Sequence, residues 1–270
     1  MRLFSSKGAG KFVMKYAAQV AYTGANYFGW QRQNNHSERE SKTVQQVLEE
    51  ALSNLNNNKL VKVTGAGRTD QGVHARGQAA SFELDKIFEP EKLLLAINFY
   101  LPEDIRVMKI FKVNNDFVAR RSALWREYKY FIYHGRVCPP QLNGFVWWNK
   151  RDWDKNLARD ACKILTGRHD FKAFCKATEC PDNTMRDIDK LKFQAFNNLT
   201  VLTVRAKSFM TNMVRIIAGN INEVAINKRN IKWLEDLLSG KERASSGQTA
   251  PACGLCFWRA GYAPESGVKF

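Results

Sequence analysis

The order of hydrophobic patterns constrains this 270-residue chain more than any other feature, because a strand-helix-strand-strand-helix-strand succession is legible twice. In the first pass, Met14, Tyr16, Ala18, Val20 and Tyr22 alternate as a half-buried strand does, and Gly24 punctuates its end. Thr43 and Gln46 form a capping box, and Val44, Val47, Leu48, Ala51, Leu52 and Leu55 then share one face at helical spacing until Asn56, Asn57 and Asn58 stop the helix. Residues 60–63 and the alternating Ala80, Phe82 and Leu84 read as two strands, separated by a glycine-rich segment over residues 65–77. Pro90 opens a second helix carrying Leu93, Leu94 and Ile97, and residues 105–113 close the pass as a strand.

The second pass follows a basic segment at residues 117–125. Residues 128–133 read as a strand, and Leu157, Ala158, Ala161, Cys162 and Leu165 mark a helix ending at Gly167. Leu191, Phe193 and Ala195 alternate with Lys190, Lys192 and Gln194, and residues 199–205 form the next strand. Met210, Met213, Val214, Ile217, Ile221 and Val224 predict a long helix, residues 231–238 a shorter one stopped by Gly240, and residues 254–258 a closing strand. No sequence repeat accompanies the recurrence. The expected class is therefore α+β: two ferredoxin-like halves, residues 12–116 and 117–264, with one antiparallel sheet each around a central basic cleft.

Composition narrows the partners. The chain carries 42 Lys and Arg against 26 Asp and Glu, a net charge of +16, and the basic residues recur along its length rather than in a tail. Such a surplus attracts polyanions, with nucleic acid first among them, a solvated basic surface being the plainer reading. At 44% hydrophobic residues the chain has the material for a core, and no apolar run is long enough for a membrane helix. Six cysteines are too few for a disulfide scaffold of this length, so reduced thiols and a cytoplasmic setting are expected. Arg2, Lys7 and Lys11 precede the first acid, Glu38, a faint transit-peptide pattern against which an ordinary frayed terminus is weighed. Cys253-x-x-Cys256 and Cys175-x4-Cys180 would together make a four-thiolate zinc site. A strand at residues 253–256 points their side chains apart, and free thiols with no metal are the expectation.

The segment Gly65-Ala66-Gly67-Arg68-Thr69-Asp70-Gln71-Gly72-Val73-His74-Ala75 places a carboxylate among glycines with arginines nearby. Glycine permits close backbone approach to a ligand, so Asp70 is either presented to a substrate or caps the N–H of a turn; spacing alone leaves both open. The Gly-Lys-Ser/Thr ending of a phosphate-binding P-loop is missing. His74 reads as a structural hydrogen-bonding group.

This segment resembles the catalytic motif of the tRNA pseudouridine synthases that act on the anticodon arm. Further stretches resemble the same family in order: Tyr22-x-Gly24-x-x-Tyr27-x-Gly29-Trp30-Gln31, Arg126-x-Tyr128-x-Tyr130, Asp170-Phe171-x-x-Phe174, Met213-Val214-Arg215-x-Ile217-x-Gly219 and Thr249-Ala250-Pro251-Ala252-x-Gly254-Leu255. Together they run from about residue 14 to 262. The resemblance implies a cofactor-free isomerase acting on uridines of the anticodon stem-loop, with tRNA as partner and a homodimeric assembly. It assigns the catalytic carboxylate to Asp70, its electrostatic partner to Arg215, a base-stacking role to Tyr128, and to Arg68 the guarding of the position the uridine vacates. Arg76, Arg120, Arg121 and Arg126 are expected to contact RNA phosphates. Arg215 is placed on a helix face with Thr211, Asn212 and Asn222, opposite the apolar stripe, as a helix lining a wet cleft would be. The chain departs from the family where Thr211 and Asn212 stand in place of a histidine often found before Met-Val-Arg, and in a longer polar stretch at residues 32–42, expected to be a surface loop able to touch RNA. The contrasting reading is a binding or folding module for RNA that has lost catalysis.

Overall fold

The computed structural model describes residues 13–32 and 42–270. The expectations for the first residues and for the polar stretch therefore fall largely outside the described part. The first alternating segment forms β1 (Met14–Tyr22), and Thr43 caps α1 (Val44–Leu55) by accepting a hydrogen bond from Gln46 N. The Gln46 side chain turns to Glu50 rather than back to the cap. Asn57 and Asn58 adopt positive φ and end the helix. β2 (Thr64–Gly65), β3 (His74–Leu84), α2 (Pro90–Tyr100) and β4 (Ile105–Val113) complete the first pass.

The second pass contains β5 (Trp125–Tyr133), the short β6 (Trp147–Trp148), α3 (Lys155–Ile164), β7 (Gly167–Asp170), β8 (Met185–Phe196), β9 (Leu199–Ala206), α4 (Met213–Ala225), α5 (Ile231–Leu237) and β10 (Leu255–Gly261). Eight strands line up in the order β4-β1-β3-β10-β5-β9-β8-β7, with β2 beside β3 and β6 beside β5. Pairing is antiparallel except at β10–β3 and β5–β6. The two passes thus share one sheet instead of building one each. Strand β10 makes the join, antiparallel to β5 and parallel to the start of β3 through Cys256–His74 and Phe257–Ala75. Further along the same edge of β3, β2 pairs through Thr64–Ser81 and Gly65–Ala80.

Three expectations are corrected here. Residues 60–63 form no strand: Val61 and Val63 are buried, but Val63 N donates to Glu49 Oε1 at 3.0 Å and Val63 O accepts from Gln45 Nε2 at 3.0 Å, so side chains of α1 take the bonds a ladder would use. Helix α4 begins at Met213, leaving Met210 to Asn212 in the approach to it, and all of its residues except Arg215 are buried. Asn222 therefore faces no wet cleft; its Oδ1 accepts from Asn149 Nδ2 at 2.5 Å and Trp153 Nε1 at 2.9 Å. Cys253 precedes β10 in a short turn, and its thiol donates to Val146 O.

Helices α1 and α2 pack together in the first pass and α3, α4 and α5 in the second, and one continuous apolar core runs beneath both sets. No described helix is long and apolar enough to cross a membrane.

Candidate active site

The loop between β2 and β3 is held from every side, and this leaves Asp70 presented. Gln78 brackets Gly67, donating to its carbonyl at 2.8 Å and accepting from its N–H at 3.4 Å. The Tyr22 hydroxyl meets Thr69 Oγ1 at 2.8 Å, and Trp30 N donates to Thr69 O at 3.0 Å. That last bond depends on Gly29, which has φ +83° and whose missing Cβ would lie 2.4 Å from Thr69 O. His74 closes the loop: its Nδ1 accepts from Gly24 N at 3.1 Å, which leaves Nε2 to donate to Gly144 O at 2.8 Å. Burial lowers the His74 pKa and favours this neutral form. The glycine-and-tyrosine stretch near the N-terminal end of the chain is thus the bed on which the Asp70 loop rests.

Arg215 reaches that loop from the first turn of α4. Its Nη1 lies 3.2 Å from Asp70 Oδ2 and 2.9 Å from Asn212 Oδ1, while Nε donates to Ala250 O at 2.8 Å. Ala250 N returns a bond to Arg215 O at 3.2 Å. The segment around Ala250 approaches α4 so closely that a Cβ on Gly219 would fall 1.9 Å from Gln248 O. The departures from the family pattern are also used: Asn212, at φ 62°, orients Arg215, and Thr211 donates to Glu179 Oε2 at 3.0 Å. The Asp70 and Arg215 side chains remain 33% and 18% exposed.

Tyr128 borders the same cavity as Asp70, on the buried face of β5 between Arg126 and Tyr130. Its ring makes edge contacts with Phe209 at 5.1 Å and Phe257 at 4.9 Å, and burial raises the hydroxyl pKa, so it stays protonated. Tyr130, two residues on, is wholly core, its hydroxyl donating to Pro251 O at 2.7 Å.

Two adjoining cavities of about 620 and 640 Å³ meet along Arg68, Thr69, Asp70, Glu179, Thr211 and Asn212. The first is walled by Arg120, Arg121, Arg126, Tyr128, Lys207 and Phe209, the second by Phe28, Gln31, Lys176 and Arg215. The structure thus gathers Asp70, Arg215, Tyr128, Arg68, Arg120, Arg121 and Arg126 at one cleft. Arg76 is elsewhere. It lies 4.8 Å over the Trp258 ring, which Lys129 also covers at 4.0 Å, whereas Tyr128 packs on the adjacent Phe257; neighbours along a strand point to opposite faces. Lys207, Arg186 and Phe209 also wall the cleft; in the sequence Lys207 stands only among the recurrent basic residues, and Arg186 and Phe209 belong to no motif. No cluster of His, Cys, Asp and Glu able to hold a metal occurs among the described residues.

A family model described as tRNA pseudouridine synthase matches residues 18–120 and 161–263. The chain belongs to the tRNA pseudouridine synthase family. It is 37% identical to tRNA pseudouridine synthase A of Legionella pneumophila (strain Corby) over 256 residues, 94% of this chain and 95% of that protein. It is 34% identical to the protein of the same name from Brachyspira hyodysenteriae over 91% of this chain and 97% of that one. The Francisella tularensis subsp. holarctica protein, also so named, is 34% identical across 94% of this chain and 96% of its own length. Enzymes of this family are isomerases that convert uridine in tRNA to pseudouridine. Both matched segments contain cleft residues: Asp70 and Arg68 lie in the first, Arg215 and Phe209 in the second.

Proposed function

We propose that this chain isomerises uridine in the anticodon stem-loop of tRNA, with Asp70 as the reacting carboxylate, Arg215 as its electrostatic partner and Tyr128 as the aromatic surface for the base. The observation that carries the reading is the 3.2 Å contact between Asp70 and Arg215 inside a cleft walled by arginines, formed by two stretches 145 residues apart. The reaction breaks the N1–C1′ bond, turns the detached uracil, joins C5 to C1′ and moves the C5 proton to the solvent while N1 gains one. It is redox-neutral and consumes no energy source. Asp70 serves as an ionised group in each route, as nucleophile at the sugar, nucleophile at the base, or base toward a sugar proton.

Uridine must leave its stack to reach Asp70. Unstacking costs a few kcal/mol, and a base laid on an aromatic ring recovers about 1–3 kcal/mol. Tyr128 supplies the ring, and Arg68, on the rim shared by both cavities, stands where the vacated position needs a substitute. Arg120 and Arg121 face RNA phosphates, which position the stem without reading its bases. The two passes are ferredoxin-like halves, residues 12–116 and 117–264, a reading supported by their matching strand orders: β4-β1-β3-β2 in one and β10-β5-β9-β8 in the other. The homodimer and the cytoplasmic setting belong to the same reading, the first by resemblance and the second by cysteine usage.

The test is pseudouridine formation, mapped by nucleotide, in a tRNA pool lacking the modification, with chelator present and wild type beside Asp70→Asn. Product in the anticodon arm from wild type only, with both proteins binding tRNA, supports the proposal. Wild type that binds tRNA and makes no pseudouridine on any substrate replaces it with the RNA-binding module.

A further inference from the structure

Arg126 is the cleft's most enclosed cation. It precedes Tyr128 by two residues on β5, is 9% exposed, and has no carboxylate within 4 Å among the described residues. A guanidinium carries five N–H donors in a rigid plane. Here each one meets a backbone carbonyl. Nε and Nη2 donate to Ala66 O at 3.0 and 2.9 Å, Nη1 to Ala123 O at 3.2 Å and Lys207 O at 2.7 Å, and Nη2 also to Arg120 O.

Those carbonyls come from three separate segments. Ala66 begins the loop that carries Asp70, Arg120 and Ala123 belong to the basic segment before β5, and Lys207 opens the approach through Phe209 to Asn212 and Arg215. All of them border the first cavity. Irregular backbone at a buried position must find partners outside the ladders, and a cation without a counter-charge is tolerated only where dipoles surround it. Burial accordingly weakens the hold of Arg126 on its proton, an effect that the neighbouring Tyr262 and Tyr128 hydroxyls offset only in part.

We propose that Arg126 is a positioning residue: it ties the Asp70 loop, the basic segment and the approach to Arg215 at one fixed separation, and so sets the Asp70–Arg215 contact without touching RNA. This rests on the function proposed above. With every donor committed inward, Arg126 is distinguished from Arg120 and Arg121, although sequence alone groups the three.

The experiment compares wild type, Arg126→Ala and Arg126→Lys in single-turnover pseudouridine formation at saturating tRNA, with tRNA affinity measured across a salt series. A displacement of about 1 Å in a reacting group costs on the order of 100-fold, so Arg126→Ala is expected to lose about that much in rate while its affinity and salt slope stay at the wild-type values. Millimolar ethylguanidinium should restore at least about a tenth of the lost rate by refilling the space and bonding the same carbonyls, and ethylammonium should not. Arg126→Lys keeps the charge without the planar fork; it should remain slow, and it decides the matter if the alanine variant does not fold. A wild-type rate in a folded variant overturns the inference. So does a loss expressed as weaker binding with a salt slope shallower by about one, which would make Arg126 a phosphate contact. Inactive wild type overturns the proposed function instead.

Discussion

Asp70 and Arg215 are 145 positions apart in the chain and 3.2 Å apart in space, but neither is sealed from water. Their exposure sets the expected effect of removing the arginine. Breaking a fully buried pair costs about 3–5 kcal/mol, whereas for a pair 33% and 18% exposed about 1–2 kcal/mol is expected. Arg215→Ala should therefore stay folded, with a modestly lowered melting temperature, and lose pseudouridine formation; a destabilisation above about 4 kcal/mol would contradict the partly open geometry. His74 gives a pH prediction. In the folded protein burial pushes its pKa below the ordinary 6.5, so above that value it is neutral in both states and its contribution is fully present. As pH falls from 6.5 toward the folded value, the unfolded chain takes up a proton that the folded one refuses, and stability declines. His134 is shifted the same way. Melting temperature should drop on acidification from pH ~7.5 to ~5, with a shallower decline in His74→Gln; parallel curves for the two proteins would sink the assignment to His74.

At the scale of elements, α4 is held against the Ala250 segment by the absence of one carbon. Gly219→Ala would put a Cβ 1.9 Å from Gln248 O, a backbone atom with no rotamer to retreat into, and should cost about 3 kcal/mol or more. Because Arg215 Nε bonds to Ala250 O, the variant should also lose activity beyond what its melting temperature explains. This helix also shows where sequence patterning stopped. Hydrophobic periodicity assumes one buried face, so Asn222 and Thr211 were read as a polar side; α4 is buried at every residue but Arg215 and satisfies Asn222 internally with Asn149 and Trp153. Strands β1, β3 and β8 were legible because each alternates over several residues, although β3 begins at His74, within what read as loop. Residues 60–63 misled because burial and strand pairing are separable: Gln45 and Glu49 bond their backbone instead. Asp70 and Arg215 were found through motif resemblance, since spacing alone left Asp70 open between a presented carboxylate and a turn cap. The environment of Arg126 left no trace in the chain, where an arginine facing carbonyls and one facing solvent are the same letter.

For the whole molecule, the charge of +16 becomes meaningful through its placement. Arg68, Arg120, Arg121 and Lys207 border the cleft, and no ion pair within 4 Å engages them among the described residues, whereas many cations elsewhere are paired, as Lys190 and Arg259 are with the buried Glu127. If about six phosphates are neutralised, log affinity for tRNA should fall against log salt with a slope of about −4 to −5. Arg120→Ala and Arg121→Ala should each reduce that slope by about one, and Arg76→Ala, across the sheet, should leave it alone. A salt-insensitive affinity would remove the electrostatic account. The parallel join between β3 and β10 bears on how the protein is made. β10 follows in the chain every strand it pairs with, and it lies near the middle of the sheet. On a ribosome, both β3 and β5 emerge first and wait with bare edges, which are templates for pairing with other chains. The cleft can close only after residue 261 has cleared the exit tunnel, so a message cut short before this strand yields two sticky partial sheets and no working cleft.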